Sequence, residues 1–185
     1  MPKTDPDDLQ RVNVKAFEQI DEAANVQDYV HILDVFDALA GIQRLKKTAI
    51  ERCRIQPRMS VLDSGCGIGL ETVKLAKLVA PSGRVTGLDW SRKFLDEAQR
   101  RAAALNLPIT YQQGDAQHLP FSDGTFDISR SERLLPYLGD PRKALSELIR
   151  VTKPRGAVYL IEPDFETVTI NLSDRSLVRK VLHFD

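Results

Sequence analysis

Cysteine is scarce in this chain, long apolar runs are missing, and neither sign of charge is in excess. Two cysteines among 185 residues cannot form a disulfide framework, so they indicate a reducing compartment and a cytoplasmic protein. They and the three histidines show no ligand spacing, and no metal site is predicted. No run reaches the ~18 to 20 apolar residues of a membrane span, and the acidic segment 1–10 is not a signal peptide. The 26 Lys and Arg residues balance the 26 Asp and Glu residues, so no nucleic-acid partner is expected.

The first 54 residues differ from the rest of the chain in their apolar pattern. Two stripes of apolar residues at helical spacing are separated by Gly41, and Lys46 lies off the second stripe. We therefore expect residues 1–54 to form a helical N-terminal unit and residues 55–185 to form the main α/β domain.

From Met59 onward, short apolar runs alternate with amphipathic helices. This alternation predicts a doubly wound, mostly parallel sheet with helices on both faces, and such sheets bind ligands outside the carboxyl ends of their strands. Lys153–Gly156 is predicted to be a turn. The predicted strands are Met59–Asp63, Arg84–Asp89, Ile109–Gly114, Phe126–Ser129 and Gly156–Glu162, and the predicted helices between them are Leu70–Val79, Arg92–Leu105 and Arg142–Val151.

A glycine-rich loop follows the first predicted strand. Asp63 ends that strand, and Gly65, Gly67 and Gly69 precede a helix that begins at Leu70. Glycine accepts positive φ angles and lets a ligand approach the backbone closely, which is typical of nucleotide-binding loops. A tight turn between strand and helix, with no ligand, is the alternative.

The spacing within this loop distinguishes between two nucleotide ligands. The dinucleotide motif G-x-G-x-x-G requires a third glycine where this chain has Leu70. The carboxylate of Asp63 would repel a pyrophosphate, whereas it would attract a ligand with a cationic amino-acid group. S-adenosylmethionine carries an ammonium and a sulfonium and no phosphate, so it is favoured as the cofactor. A nicotinamide-dependent oxidoreductase is the disfavoured alternative.

Two further acids end the next two predicted strands. Asp89 lies about 20 residues beyond the glycine loop, the spacing expected of a carboxylate that binds ribose hydroxyls, and its alternative role is a helix cap. Trp90 is predicted either to cover an adenine face or to pack half-buried. Asp115 can accept a hydrogen bond from the adenine amine, with the backbone of Ala116 nearby, and as a single residue it would be a turn former. Because three acids follow three successive strands, we expect them on one rim.

In this order the motifs resemble those of class I S-adenosylmethionine-dependent methyltransferases, in the group that includes the ubiquinone and menaquinone biosynthesis enzymes. Each motif is modest alone, whereas the ordered set is specific, and the resemblance runs from Ile55 to Asp164. The matching segments are Val61–Gly69, Gly87–Ser91, Gly114–Phe121, Phe126–Ser129 and Leu145–Pro163.

The resemblance implies a Rossmann-like methyltransferase fold in which the N-terminal helices form a lid over cofactor and acceptor. Tyr29 is a candidate to reach inward from the lid, although packing between helices is its favoured role. The implied cofactor contacts are Asp63, Gly65, Gly67 and Gly69 at the methionine end, Asp89 at the ribose, Trp90 beside it, Asp115 and Ala116 at the adenine, and Arg130 and Ser131 near the methionine moiety through backbone atoms.

The resemblance further implies direct transfer of a methyl group to a small molecule. Because the sulfonium donor is already activated, holding donor and acceptor in line can be enough, and no catalytic side chain is predicted. A general base is needed only for an acceptor that must lose a proton. The rim residues considered for that role are Glu132, Tyr137, His118 and Asp164, and a solvated or structural role is favoured for each.

The C-terminus departs from the family pattern. The family's sheet has seven strands, closed by an antiparallel pair after the fifth, but this chain ends 21 residues after Asp164, with an alternating run at Phe165–Ile170 and a helix-like segment at Leu177–Phe184. We expect the last strands to be missing and the edge of the fifth strand to be open to self-association or to a partner's strands. A catalytically impaired cofactor-binding subunit that works through a partner chain is therefore the alternative function.

Overall fold

A five-stranded sheet forms the centre of the computed structural model, which describes residues 14–163. Its strands are β1 (Ser60–Ser64), β2 (Arg84–Asp89), β3 (Ile109–Gln113), β4 (Phe126–Glu132) and β5 (Thr152–Ile161). They lie in the order β3-β2-β1-β4-β5, and every neighbouring pair is parallel. The predicted α/β fold with a parallel sheet is confirmed. The direction of the strand order reverses at β1, and sheets of this type bind ligands at that point.

Within residues 14–163, five α-helices and two 3-10 helices connect these strands or precede them. The α-helices are α1 (Val26–Ala38), α2 (Ala40–Cys53), α3 (Leu70–Val79), α4 (Arg92–Ala102) and α5 (Pro141–Val151), and the 3-10 helices are Val14–Glu22 and Leu135–Tyr137. Side chains before α4 and α5 cap their first turns: Ser91 Oγ accepts a hydrogen bond from Phe94 N at 3.1 Å, and Asp140 Oδ1 accepts one from Lys143 N at 3.0 Å.

Apolar residues on both faces of the sheet hold the helices in place. Val61 and Leu62 are adjacent in β1 and fully buried, and their side chains point to opposite faces, as in any strand. Val61 shares one apolar cluster with Leu75 and Val79 of α3, whereas Leu62 shares another with Leu148 of α5. Burial of each such side chain contributes roughly 1.5–3 kcal/mol. The carboxyl ends of the strands are therefore carried on a well-packed scaffold.

The sequence predicts a turn at Lys153–Gly156 before the fifth strand, but in the structure these residues already belong to β5. Thr152 already pairs with Phe126, and the register with β4 resumes where Ala157 lies opposite Ile128. The residues between these two pairs form a bulge inside β5, which begins four residues earlier than the Gly156 start predicted from the sequence.

The N-terminal helices break at Leu39, so the predicted break at Gly41 is also wrong. Leu39 leaves the helical conformation with ψ of 126°, while Gly41 lies inside α2. Tyr29 is buried and packs edge-on against Phe17, with 5.2 Å between ring centroids, so it has the packing role that was favoured for it. That the N-terminal helices act as a lid stays a prediction.

Several predictions fall on residues that the structure does not describe. Asp164, the run at 165–170 and the helix-like segment at 177–184 all lie outside residues 14–163, so the open edge of the fifth strand also stays a prediction. Within residues 14–163, no helix combines the length and the apolar character needed to cross a membrane. In the same part of the chain, no three side chains from His, Cys, Asp and Glu are grouped to hold a metal ion.

Candidate functional site

A cavity of about 880 Å³ lies at the carboxyl ends of the strands. Part of its wall comes from the loop after β1, from the ends of β2 and β4, and from the residues that follow β3. The N-terminal helical region contributes an apolar part of the wall, formed by Phe17, Ile32, Leu33 and Phe36. The volume is in the range of pockets that bind cofactors and other small molecules.

Seven of the ten predicted site residues line this cavity, and three lie behind its wall. The lining residues are Gly65, Gly67, Asp89, Trp90, Asp115, Ala116 and Arg130. The three that are buried behind the wall are Asp63, Gly69 and Ser131. The expected rim of three acids is therefore reduced to Asp89 and Asp115.

The three loop glycines have positive φ angles but different surroundings. A Cβ added to Gly67, at φ of 52°, would meet only Leu33 Cδ1 at 3.8 Å, so the backbone here is open to the cavity. At Gly69, with φ of 77°, an added Cβ would collide with Tyr111 Oη and come within 3.0 Å of Ala98 Cβ. Gly67 thus allows close approach of a ligand, whereas Gly69 allows close packing of α3 against β3 and α4.

Asp63 is enclosed by other side chains and does not line the cavity. Its side chain is fully buried, and it accepts hydrogen bonds from Thr72 Oγ1 at 2.6 Å and from Arg130 Nη1 at 2.7 Å. Arg130 is 2% exposed, and its other terminal nitrogen donates to Glu132 at 2.7 Å. The negative charge predicted to attract a cationic ligand is thus paired with an arginine that itself lines the cavity.

Asp89 is the acid held most directly at the cavity wall. Its Oδ2 accepts a hydrogen bond from Gly67 N at 2.7 Å, and its Oδ1 accepts one from Ser91 N at 2.9 Å. Burial, together with the nearby acids Asp63 and Asp21, raises the pKa of this carboxyl to about 6, although these two hydrogen bonds act to lower it. The carboxyl is therefore fixed between the glycine loop and the start of α4, with oxygen lone pairs left for a ligand.

The side chains expected at an adenine, Trp90 and Asp115, belong to residues of the same cavity wall. Trp90 is 65% exposed and lines the cavity, so it does not pack half-buried. Asp115 accepts a hydrogen bond from Gln117 N at 2.8 Å and lies 3.0 Å from His118 Nδ1. Burial acts to raise the pKa of Asp115, but hydrogen bonds from His118 and Gln117 outweigh it and lower the pKa. His118 is exposed and is not part of the cavity wall.

Glu132 is surrounded by cations, which the sequence did not indicate. It lies 2.7 Å from Arg130, 3.0 Å from Lys46 Nζ and 3.1 Å from Arg133. Burial acts to raise the pKa of Glu132, but these three cations outweigh it, so the pKa lies below its ordinary value. A carboxylate held in this way is a poor general base. Of the other candidate bases, Tyr137 lines the cavity.

Lys46 extends this charge cluster into the N-terminal helices. Its side chain is 4% exposed, and Nζ lies 2.6 Å from Asp37 and 3.3 Å from Glu71, in addition to Glu132. Glu71 and Glu132 both line the cavity. The cluster therefore connects helix α2 to the cavity wall through the buried ion pairs of Lys46 with Glu71 and Glu132, which are far from it in sequence.

Asp21 provides a second connection between the N-terminal region and the main domain. Its carboxylate accepts hydrogen bonds from Ser91 Oγ at 2.5 Å, Arg92 N at 2.9 Å and Lys93 N at 3.1 Å. Ser91 caps α4, and Arg92 and Lys93 are its first two residues, whose backbone N–H groups have no partner within the helix. Because Ser91 also lines the cavity, this contact joins the helical region to the wall beside Asp89.

Comparison with known proteins assigns the chain to a family. A family model described as a methyltransferase domain matches residues 61–156, more than half of the chain. The chain belongs to this methyltransferase family. The matched segment contains the glycine loop, β2 to β4, α5 and the cavity-lining acids described above.

Relatives and a solved structure that are similar to the chain agree with this assignment. The chain is 40% identical over 119 residues to a demethylmenaquinone methyltransferase of Lactobacillus johnsonii, across 63% of this chain and 49% of that one. It is 37% identical over 155 residues to an uncharacterised 37.1 kDa protein of transposon TN4556 from Streptomyces fradiae, across 83% of this chain and 44% of that one. The chain thus spans about half the length of these relatives. A SAM-dependent methyltransferase structure from Aquifex aeolicus shares the fold, with a TM-score of 0.61 and 24% identity over 74% of this chain and 76% of that one.

Proposed function

We propose that this chain binds S-adenosylmethionine in the cavity and transfers its methyl group directly to a small molecule. The observation that carries the proposal is the position of Asp89, whose carboxyl is fixed by Gly67 N and Ser91 N at the end of β2. A carboxylate at this point of a doubly wound sheet can accept hydrogen bonds from both ribose hydroxyls of a nucleoside. The open backbone at Gly67 gives the same ligand room to lie against the loop.

The charge on the cavity wall supports a cationic cofactor. Among the described residues, four carboxyl groups and two guanidinium groups line the cavity: Glu71, Asp89, Asp115 and Glu132, and Arg130 and Arg133. Glu71 and Glu132 are paired with cations, so the remaining negative charge of the wall is that of Asp89 and Asp115, and it favours a ligand with a sulfonium and an ammonium. It disfavours the pyrophosphate of a nicotinamide dinucleotide, and Leu70 occupies the place of that motif's third glycine.

The residues of the chain would bind and orient the cofactor and the acceptor and would exclude water. No side chain is required to react. S-adenosylmethionine, when bound, supplies an activated methyl group. Asp89 and Asp115 would hold the adenosine, while Phe17, Leu33 and Phe36 would cover the transfer site and keep water out. This apolar cover suits an acceptor with an apolar body, and the naming of one relative as a demethylmenaquinone methyltransferase supports a small-molecule acceptor.

A transfer assay with radiolabelled S-adenosylmethionine tests the proposal. The purified chain is incubated with a panel of hydroxylated aromatic acceptors, including demethylmenaquinol, and extracted products are counted. We expect transfer to at least one acceptor, strongly reduced in Asp89→Asn and retained in Asp96→Asn, an exposed acid on α4. Binding of the cofactor without transfer to any acceptor would contradict the enzymatic part of the proposal and favour a cofactor-binding subunit that acts through a partner.

A further inference from the structure

Arg133 occupies an unusual backbone position at the cavity wall. It follows directly after β4 and has φ of 51°, a left-handed conformation that few residues other than glycine adopt. A hydrogen bond from Arg133 N to Ile161 O, 2.8 Å long, holds this conformation against the neighbouring strand β5. Strained backbone of this kind persists where surrounding structure fixes it, and it occurs frequently at ligand sites.

Arg133 lines the cavity, and its guanidinium is held on two sides. Its Nη2 lies 3.1 Å from Glu132 Oε1, and its Cζ lies 5.7 Å from the ring centroid of Phe36 on α1. The side chain is 28% exposed, which leaves it accessible from the cavity. A guanidinium has five N–H donors, so a contact through one terminal nitrogen leaves capacity for a further acceptor.

The other cations near the cavity are already committed to several carboxylates. Arg130 is paired with Asp63 and Glu132, and it is buried. Lys46 is surrounded by three carboxylates and does not line the cavity. Within residues 14–163, the ion pair of Arg133 is with Glu132 alone. Arg130 has one donor without a partner among the described residues, Nε, but that atom is buried. Arg133 is therefore the accessible cavity-lining cation with donors available to an anionic group.

The position of Arg133 identifies which part of a ligand it would meet. Asp89 lies at the end of β2, and β1 separates β2 from β4. Because adjacent strands are ~4.8 Å apart, the end of β4 lies roughly 10 Å from the ribose acid, across the glycine loop. A ligand with its ribose at Asp89 and its adenine towards Asp115 would point its amino-acid end towards Arg133.

We propose that Arg133 binds the α-carboxylate of the cofactor and, through Phe36, joins that carboxylate to helix α1. The proposal rests on the proposed function, since it assumes that S-adenosylmethionine occupies the cavity. A planar guanidinium matches a carboxylate with two parallel hydrogen bonds, a geometry that lysine does not reproduce. The stacked ring of Phe36 would restrict the guanidinium to that orientation.

Two ligands that differ in the amino-acid group test this proposal. S-adenosylhomocysteine and 5′-methylthioadenosine share the adenosine and the thioether, but the second lacks the carboxylate and the ammonium. We expect Arg133→Met to weaken the binding of S-adenosylhomocysteine by about 10- to 100-fold, as for loss of a charge-assisted hydrogen bond. The affinity for 5′-methylthioadenosine should stay unchanged. Arg133→Lys should fall between wild type and Arg133→Met.

Arg58→Met is the matched control, because Arg58 is exposed and also has a positive φ, of 76°, but does not line the cavity. It should bind both ligands as wild type does. Equal weakening of both ligands by Arg133→Met, or no change in either, would overturn the proposal. Failure of the wild-type chain to bind either ligand would instead contradict the proposed function.

A comparison that needs no substitution covers the case in which Arg133→Met does not fold. The wild-type chain should bind S-adenosylmethionine at least about 10-fold more tightly than its decarboxylated form, which keeps the ammonium and the sulfonium. Equal affinity for the two would overturn the proposal.

The role of Phe36 is tested by a double-mutant cycle that combines Arg133→Met with Phe36→Leu. The two losses of S-adenosylhomocysteine affinity should be less than additive, and additive losses would exclude the coupling.

Discussion

Asp63 and Arg130 form an ion pair in the interior, with 2.7 Å between Oδ1 and Nη1 and with neither residue more than 2% exposed. The pair joins β1 to the neighbouring strand β4, whose end contributes to the cavity wall. Because Arg130 lines the cavity and Asp63 does not, the acid before the glycine loop influences a ligand through the arginine that it neutralises.

Removal of Arg130 should be strongly destabilising. In Arg130→Met the carboxylate of Asp63 would stay buried without its cation, and breaking a buried pair in this way costs about 3–5 kcal/mol of unfolding free energy. Urea denaturation measures the loss. Arg142→Met, at an exposed position in α5, should change stability by less than about 0.5 kcal/mol. If Arg130→Met unfolds at the wild-type urea concentration, the pair is not needed for the fold.

Ligand affinity should depend on pH through Asp89. Burial raises its pKa from the ordinary value of 3.8 to about 6 in the folded chain, so ionisation of this group lowers folding stability as the pH rises through that interval. Ribose hydroxyls donate to the charged form, so the affinity for the ligand should increase as the pH rises. Below the pKa of Asp89, the affinity should fall about tenfold for each pH unit. Titrations with S-adenosylhomocysteine from pH 5 to pH 8 measure this.

Asp89→Asn should bind weakly and with a flat pH profile, because the group that titrates is gone. Asp96→Asn, at an exposed site on α4, should keep the wild-type profile. An unchanged pH dependence in Asp89→Asn would show that another group controls binding.

Two loop glycines should respond differently to alanine. Gly69→Ala adds a Cβ against Tyr111 and Ala98, as well as strain at positive φ, and should cost roughly 2–5 kcal/mol of stability. Gly67→Ala adds the strain alone, about 1–2 kcal/mol, but its Cβ enters the cavity and should weaken ligand binding. Thermal unfolding and calorimetric titration separate the two effects. Equal destabilisation by both substitutions would argue against these distinct roles.

Asp21→Ala should loosen the N-terminal region from the main domain. The variant leaves Ser91 Oγ and two N–H groups of α4 without their acceptor, a loss of about 0.5–2 kcal/mol for a capping interaction. Limited proteolysis should then cleave the region before α1 faster than in wild type. Glu22→Ala, an exposed neighbour, should digest at the wild-type rate. Equal rates for Asp21→Ala and wild type would exclude a role for this contact.

The strands and the cavity acids were predictable because their signals are local. β2 and α3 have the boundaries expected from apolar runs and from the glycine loop between strand and helix. Asp89 and Asp115 reach the cavity because the residues at the carboxyl ends of parallel strands share one edge. The bulge in β5 was missed because it depends on the register with β4, which no local pattern encodes.

The buried charges could not be predicted for the same reason. Lys46 lies off the apolar stripe of its helix, a position typical of exposed residues, yet it is 3% exposed among carboxylates from three other elements. Arg130 and Glu132 extend β4 beyond its predicted end because their charges are paired inside the fold. Partners 67 residues apart, such as Asp63 and Arg130, leave no periodic signal in one sequence.

Calorimetric titration of the purified chain with S-adenosylhomocysteine, with NADH as the control ligand, tests most directly whether the cavity is a methyl-donor site. We predict saturable binding of S-adenosylhomocysteine in the micromolar range, a free energy of about −8 kcal/mol, and no binding of NADH. Asp89→Ala should abolish the signal. Binding of NADH in preference to S-adenosylhomocysteine, or wild-type affinity in Asp89→Ala, would contradict the proposed cofactor and the position assigned to it.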